Sequence, residues 1–338
     1  NLPVRCAGKF IGFLNNFMRI TSHKANQFFS LVLKILVVLA AVSFIWYKVT
    51  NDETMDFDRF VDILDRYRIF SFINIVILVL FTILNWYFEI LKWQNLSSHV
   101  RKNSFMAATR ESLASFTAAI FTPSRIGEYG AKCLYYKRAA WRKVIFLNFL
   151  GNTAQLFATY FFGIAGLLFL ITTLDLALPV FNIILVSGLL FAPFILYVVM
   201  KKFKIRLKGY SVKRLEESFH KVSQKIRWRT LLFSSIRFII FTHQFYFLLL
   251  QFKVDVSYPL LISAVFSTYI LASIIPTMII FDAFIKGGFA VWIFGLLQVP
   301  QIIVFTIVLT VWILNFGLPG LAGSYYVLRY KKAKHATA

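Results

Sequence analysis

Long apolar runs separated by short polar connections set the pattern of this chain. The first run, FFSLVLKILVVLAAVSFIWYKV, covers Phe28–Val49, and the second, FSFINIVILVLFTILNWYFEIL, covers Phe70–Leu91. Others extend from Val144 to about Thr172, from Pro179 to Met200, from about Thr230 to Phe252 and from Pro300 to about Leu328. Each approaches or exceeds the ~20 apolar residues a helix needs to cross a bilayer. Two regions instead hold pairs of shorter apolar segments, 104–121 with 126–138 and 258–275 with 283–297. Segments of that length are marginal for crossing, and re-entry from one side accounts for them. The pattern predicts an all-α, polytopic integral membrane protein with about six full spans and two re-entrant helical hairpins. Its domain plan is an N-terminal segment 1–27, one transmembrane domain 28–330 and a basic tail 331–338. Within the polar segment 201–229, SVKRLEESFHKVSQKI predicts an amphipathic helix.

Composition supports the membrane reading. Of 338 residues, 59% are hydrophobic, 18% aromatic and only 15% charged, and Phe alone occurs 39 times. A soluble domain carries roughly 25% charged residues, and a soluble core of this size could not hide so much apolar surface. The two cysteines, Cys6 and Cys133, give neither a disulfide framework nor a metal pattern. The five histidines do not fall at metal spacing, and there is neither a Walker loop nor a GxSxG elbow. No cofactor and no metal are therefore expected. The first 24 residues are mixed and basic, so no cleavable leader is expected.

A net charge of +23 on a soluble surface would point to nucleic acid. Here the charge follows topology, and no nucleic-acid partner is expected. Residues 50–69 carry six acids and three bases, 92–143 ten bases and two acids, and 201–229 eleven bases and two acids. Basic connections stay cytoplasmic. With 201–229 inside, both termini fall inside and 50–69 outside, provided each short pair enters and leaves on one side. The expected location is a bacterial or archaeal cytoplasmic membrane.

The two hairpins look related. Pro123 follows AAIFT and Pro276 follows LASII, 153 residues later. Glu128 and Asp282 come shortly after those prolines, and Lys132 and Lys286 each lie four residues beyond the acid. A span, a hairpin and a span recur at 70–172 and 230–328. Three full spans separate the starts of the two units, so the second is inverted. Inverted repeats with broken helices are a known arrangement for moving a solute past the bilayer midplane.

The stretch FTPSRIGEYGAK, Phe121–Lys132, breaks an apolar surround with a proline, two glycines and three charges. Irregular backbone at membrane depth must be buried in protein or line a wet cavity. Pro123 and Pro276 interrupt helices, and Gly127 permits a tight turn or close approach. A helix restarting there would offer free N–H groups to an anion. Arg125 could grip a phosphate bidentately and Lys132 add a point charge. Equally, Glu128 and Lys132 could pair across one turn, and Arg125 could reach toward headgroups. Asp282 and Lys286 could form the opposite gate or line the same route, or equally be a local pair at the outer surface. Inside the spans, Glu89 and Arg237 are the strongest functional candidates, since charges there face the bundle or a water-filled path. Asn85 lies four residues before Glu89; Asn148, Asn152 and Gln155 share one side; Arg237, Gln244 and Gln251 recur every seven residues. Those amides could be interhelical glue. Arg110 and Glu111 could be half-buried partners in the first hairpin or an ordinary interfacial pair.

These motifs carry a family resemblance. The chain resembles the transmembrane domain family of lysylphosphatidylglycerol synthases, also found in archaeal dolichol-linked glycosylation proteins, over most of residues 28–330. In ESLASFTAAIFTPSRIGEYGAK, Pro123, Arg125, Gly127 and Glu128 match the family order. In IIPTMIIFDAFIKGG, Pro276 fits, Asp282 stands where the family has a glutamate, and the intervening glycines are absent. LLQVPQIIVF resembles the connection to the final helix, where Trp312 or a neighbour replaces an expected arginine. The resemblance implies a membrane domain of the flippase type. Aminoacyl transfer belongs to a separate soluble domain, so lysyl transfer is not assigned to these residues.

Three functions follow as expectations. The first is translocation of a phospholipid or lipid-linked intermediate between leaflets. Its substrate-binding residues would be Arg125, Glu128, Lys132, Glu89, Arg237, Asp282 and Lys286, and its partner an anionic phospholipid or lipid-linked phosphate. The second is a membrane transferase acting on a lipid or polyprenyl phosphate, with Glu128 or Asp282 as base. The third is a scaffold for a membrane enzyme docked on 201–229, a loop that could also only bind anionic lipid. The sequence leaves the oligomeric state open.

Overall fold

The computed structural model describes residues 71–120, 122, 125–175, 206–207, 210–275 and 278–330. The expected spans Phe28–Val49 and Pro179–Met200, the N-terminal segment, the tail, Pro123 and Pro276 lie outside them. The described residues all belong to one compact unit, Phe57–Ala338.

Ten helices are described: α1 Phe72–Ser97, α2 Phe105–Ile120, α3 Ile126–Cys133, α4 Trp141–Thr173, α5 Val212–Lys221, α6 Gln224–Gln251, α7 Tyr258–Ile274, α8 Asp282–Leu296, α9 Gln301–Trp312 and α10 Leu318–Leu328. A π-helical segment, Ile313–Gly317, joins α9 to α10 without a break. Two two-residue strands, Arg206–Leu207 and Tyr210–Ser211, pair antiparallel; the described fold is otherwise all-α.

Four segments are long and apolar enough to cross a membrane: Phe72–Ser97, Arg138–Thr173, Gln224–Gln251 and Gln301–Leu328. Their surfaces reverse the soluble pattern. On α1 the buried stripe includes Asn85, Glu89 and Lys92, while Phe72 and Ile83 are 83% and 56% exposed. A helix with apolar residues outside and polar ones inside fits hydrocarbon as its solvent. The chain is an integral membrane protein of several long apolar helices.

Some boundaries differ from the sequence pattern. α1 runs on to Ser97, beyond the expected end at Leu91, because Trp93 and Leu96 continue its buried stripe. The expected amphipathic helix is divided: α5 ends at Lys221, and Ser223 caps a new helix by accepting from the Ile226 amide. The second arm of the first hairpin is α3, only eight residues long. The backbone turns after Cys133 and passes through a 3-10 turn, Arg138–Ala140, into α4.

Three seams organise the bundle. α1 lies against α6 along a polar ladder: Asn74 donates to Gln251, Gln244 to the Leu78 carbonyl and Thr82, Arg237 to Asn85, and Asn95 to Thr230. Partners descend in α6 as they ascend in α1, so the two helices are antiparallel. α4 packs on α7, where Gly163 and Gly166 bring its backbone onto Ile270, Ser263 and Phe266. α10 packs on α2 in the same way, with Gly320 and Gly323 against Ile120, Leu113 and Thr117. Small residues allow such close approach between membrane helices. The central α7 is buried on nearly every side from Leu261 to Ala272.

Candidate functional site

The first hairpin breaks where its sequence does. α2 stops at Ile120 and α3 starts at Ile126. Arg125, the residue before α3, takes the left-handed conformation, φ 58° and ψ 28°. A side chain held there is uncommon and strained. Gly127 allows the tight return: a Cβ at this position would fall on the Ala118 carbonyl of α2. The Gly127 amide donates to Thr122 Oγ1 at 2.9 Å. One of the N–H groups expected to face an anion is thus already satisfied.

Arg125 and Lys132 share one buried carboxylate. Glu128 lies 2.9 Å from Lys132 Nζ and 3.1 Å from Arg125 Nη2. Lys132 also donates to Asn148 Oδ1 on α4 at 2.7 Å, and its ammonium sits 4.0 Å from the Trp93 ring centroid. The local pairing of Glu128 with Lys132 is therefore formed, but it is buried inside the bundle. The Arg125 side chain remains 33% exposed. Arg125 Nε and Asn148 Nδ2 have no hydrogen-bond partner.

A second group meets at Glu89. Its carboxylate lies 2.7 Å from Lys92 Nζ on α1 and 2.7 Å from Arg237 Nη1 on α6. Arg237 also donates to Asn85 at 2.8 Å and to Gln155 of α4 at 3.4 Å. Asn85 donates to Asn315, which donates to Gln244 at 2.6 Å. Asn315 belongs to the π segment, a kind of irregularity frequent at functional sites. Trp86 Nε1 binds its carbonyl at 3.1 Å. α1 touches both groups: its Glu89 pairs with Lys92 and Arg237, and its Trp93 ring lies against Lys132.

The second helix break meets the same region. Ile279, in a short 3-10 turn before α8, is buried with Trp86, Phe116 and Ala119. Its carbonyl accepts from Trp312 Nε1 at 3.1 Å. Asp282 and Lys286 pair at 2.6 Å, and the Lys286 ammonium lies 5.0 and 4.9 Å from the Tyr269 and Phe316 ring centroids. The turn before α8 therefore packs on α1, α2 and the π segment through an apolar cluster that includes Phe316.

The expected Arg110–Glu111 partnership does not form. Arg110 is exposed while Glu111 is buried, because adjacent helical positions do not share a face. Glu111 instead accepts from Trp93 Nε1, Arg101 Nη2 and Tyr136 OH at 2.7 Å each, and from Asn103 at 3.1 Å. Burial, then the neighbouring Glu111 charge, pushes the Tyr136 phenol well above its usual range.

Sequence reasoning brought Arg125, Glu128, Lys132, Glu89 and Arg237 forward, and the fold gathers them into two groups, one on Glu128 and one on Glu89. Asp282 and Lys286 form their own pair beside them. Lys92, Trp93 and Asn315 were missed as site residues. Lys92 lies three residues after Glu89, a spacing that would have identified it. Asn315 carried a weaker signal, as an amide within an otherwise apolar span. Among the described residues, no group of three or more His, Cys, Asp and Glu could hold a metal ion. Compared with known proteins, the chain matches no family model, no curated protein and no solved structure.

Proposed function

We propose that this protein translocates a lipid with an anionic phosphate headgroup between membrane leaflets, as the resemblance to the flippase-type domain of lysylphosphatidylglycerol synthases implied. One observation carries the reading: ionised side chains from α1, α3 and α6 are gathered inside an apolar bundle at the start of α3 and, through Asn85, beside the π segment. Buried charge in a membrane is costly, and paths for ions and polar groups are the usual reason it is kept. Arg125 and Lys132 would receive the phosphate, Glu128 and Glu89 would hold the cations between passages, and Arg237 would continue the path across the bundle. Acyl chains would stay in lipid alongside.

The seams support an inverted repeat with units near 70–172 and 230–328. The glycines of α4, which closes the first unit, meet α7, the first hairpin arm of the second. The glycines of α10, which closes the second unit, meet α2, the first hairpin arm of the first. The opening helices α1 and α6 meet each other. Exchanging the units maps each contact onto its counterpart, the pattern of a pseudo-two-fold axis in the membrane plane. Rocking one unit against the other would expose the charged path to each leaflet in turn.

The test is reconstitution. In liposomes the protein should move labelled anionic phospholipid to the opposite leaflet without changing its mass, and Arg237→Ala should reduce the rate at least about tenfold, a loss of ~1.4 kcal/mol of transition-state stabilisation. A product of new mass would establish a transferase instead. Unaltered lipid distribution with folded protein would remove the transport reading.

A further inference from the structure

Four cations converge on two carboxylates in the charged region. Arg125 and Lys132 share Glu128, and Lys92 and Arg237 share Glu89. Asp282 and Lys286 balance each other, and Glu111 with Arg101 forms a separate balanced pair. Among the described residues, the region holds two formal positive charges more than negative ones. Glu89, Lys92, Glu128 and Lys132 are all at least nine-tenths buried, and the Arg237 side chain is 13% exposed. Of the four cations Arg125, a third exposed, is the most open to solvent, so water reaches little of the charge on the other three.

An uncompensated charge in low dielectric is far more costly than a paired one. The arrangement is completed by an entering group that brings two negative charges and several acceptor oxygens. Donors for those oxygens are present: Arg125 Nε and Asn148 Nδ2 are without partners, and the partly exposed Arg125 marks the side from which the group arrives. An ordinary phosphodiester headgroup brings one negative charge and leaves one cation unmatched. A terminal phosphomonoester brings about two near neutral pH, since its second ionisation falls near pH 6.

We infer that the preferred ligand is a lipid ending in a phosphomonoester, bound as its dianion between the Arg125–Lys132 and Lys92–Arg237 pairs. This rests on the lipid-handling reading above and narrows its substrate class. During binding, the phosphate balances the two positive charges left over, while Glu128 and Glu89 stay as resident counter-ions of the same four cations.

The experiment measures binding of short-chain lipids to the full-length purified protein in detergent. Probes are a phosphatidic acid, a phosphatidylglycerol, a phosphatidylcholine and inorganic phosphate. Phosphatidic acid is expected to bind at least about tenfold more tightly than phosphatidylglycerol near pH 8, with the advantage lost near pH 5 as the dianion takes up one proton and becomes a monoanion. Arg237→Gln, which lowers the formal excess to one, should bring the two affinities together. Arg237→Lys, which preserves charge, should keep the preference. Equal affinity for both anionic lipids, flat with pH, overturns the dianion inference but leaves lipid handling intact. Failure of any anionic lipid to bind overturns both. Inorganic phosphate binding as tightly as phosphatidic acid overturns the lipid assignment and makes the site one for free phosphate.

Discussion

Glu111 shows how much one buried carboxylate can organise. Its four donors come from the end of α1, the following connection and the turn after α3. It holds the Trp93 N–H, and Trp93 turns its ring to Lys132. Glu111→Ala would leave the Trp93 N–H buried without a partner and take away the acceptor of the Tyr136 hydroxyl. We expect a loss of about 3 kcal/mol or more, read as a lowered unfolding midpoint in detergent. At Glu89, substitution by Gln removes the charge shared by Lys92 and Arg237 and leaves both cations uncompensated. About 3–5 kcal/mol of destabilisation is expected, with the Glu89→Gln/Arg237→Gln pair less damaged than the sum of its parts in a double-mutant cycle. Gly127→Ala places a methyl group on the Ala118 carbonyl and should cost about 1–3 kcal/mol, since the contact is backbone and cannot rotate away. Legibility at this scale was uneven. Arg125, Glu128 and Lys132 were readable because a proline, glycines and charges interrupt an apolar run. Trp93 was not, because one aromatic among 61 carries no mark of its role until its ring and N–H are placed, aromatics being common in spans.

Among the elements, the final span is the most instructive. Gln301–Leu328 reads as one apolar run, and it is long enough to cross. Inside it five residues, Ile313–Gly317, adopt the π form, which offers the Asn315 side chain to Asn85 and Gln244 and its carbonyl to Trp86. Asn315→Leu should remove the bridge between α1, α6 and this span. Membrane interhelical hydrogen bonds average about 0.6 kcal/mol, so a cost of about 1–2 kcal/mol is expected, measurable by chemical or thermal unfolding in detergent. The wide turn itself left no trace in the run of apolar residues, because hydrophobic patterning reports which face is buried and not how many residues complete a turn. By contrast, the seven-residue recurrence of Arg237, Gln244 and Gln251 was legible, and each of the three meets α1. The ends of elements were harder: α1 and α6 run past their apolar cores into polar residues that tertiary contacts hold helical.

Over the whole molecule, hydrophobic run length was enough to identify a membrane bundle, since nothing else accounts for so much outward-facing Phe, Ile and Leu. The proposed relation between the two halves was only faintly written, in two prolines and two acid–lysine spacings; the pairing of α4 with α7, α10 with α2 and α1 with α6 is what supports it. The polar ladder between α1 and α6 also has a consequence for how the chain is made. Asn85 and Arg237 are 152 residues apart. At about 5–20 residues per second, α1 would be synthesised roughly 8–30 s before the partner of its Glu89 and Asn85 emerges. A nascent chain stopped before Gln224 carries that helix into lipid with its amides and carboxylate unmatched by α6. Such a truncated product should be held by the insertion machinery or degraded, whereas one extended past Gln251 should persist, a difference that pulse-labelling of the two lengths would reveal.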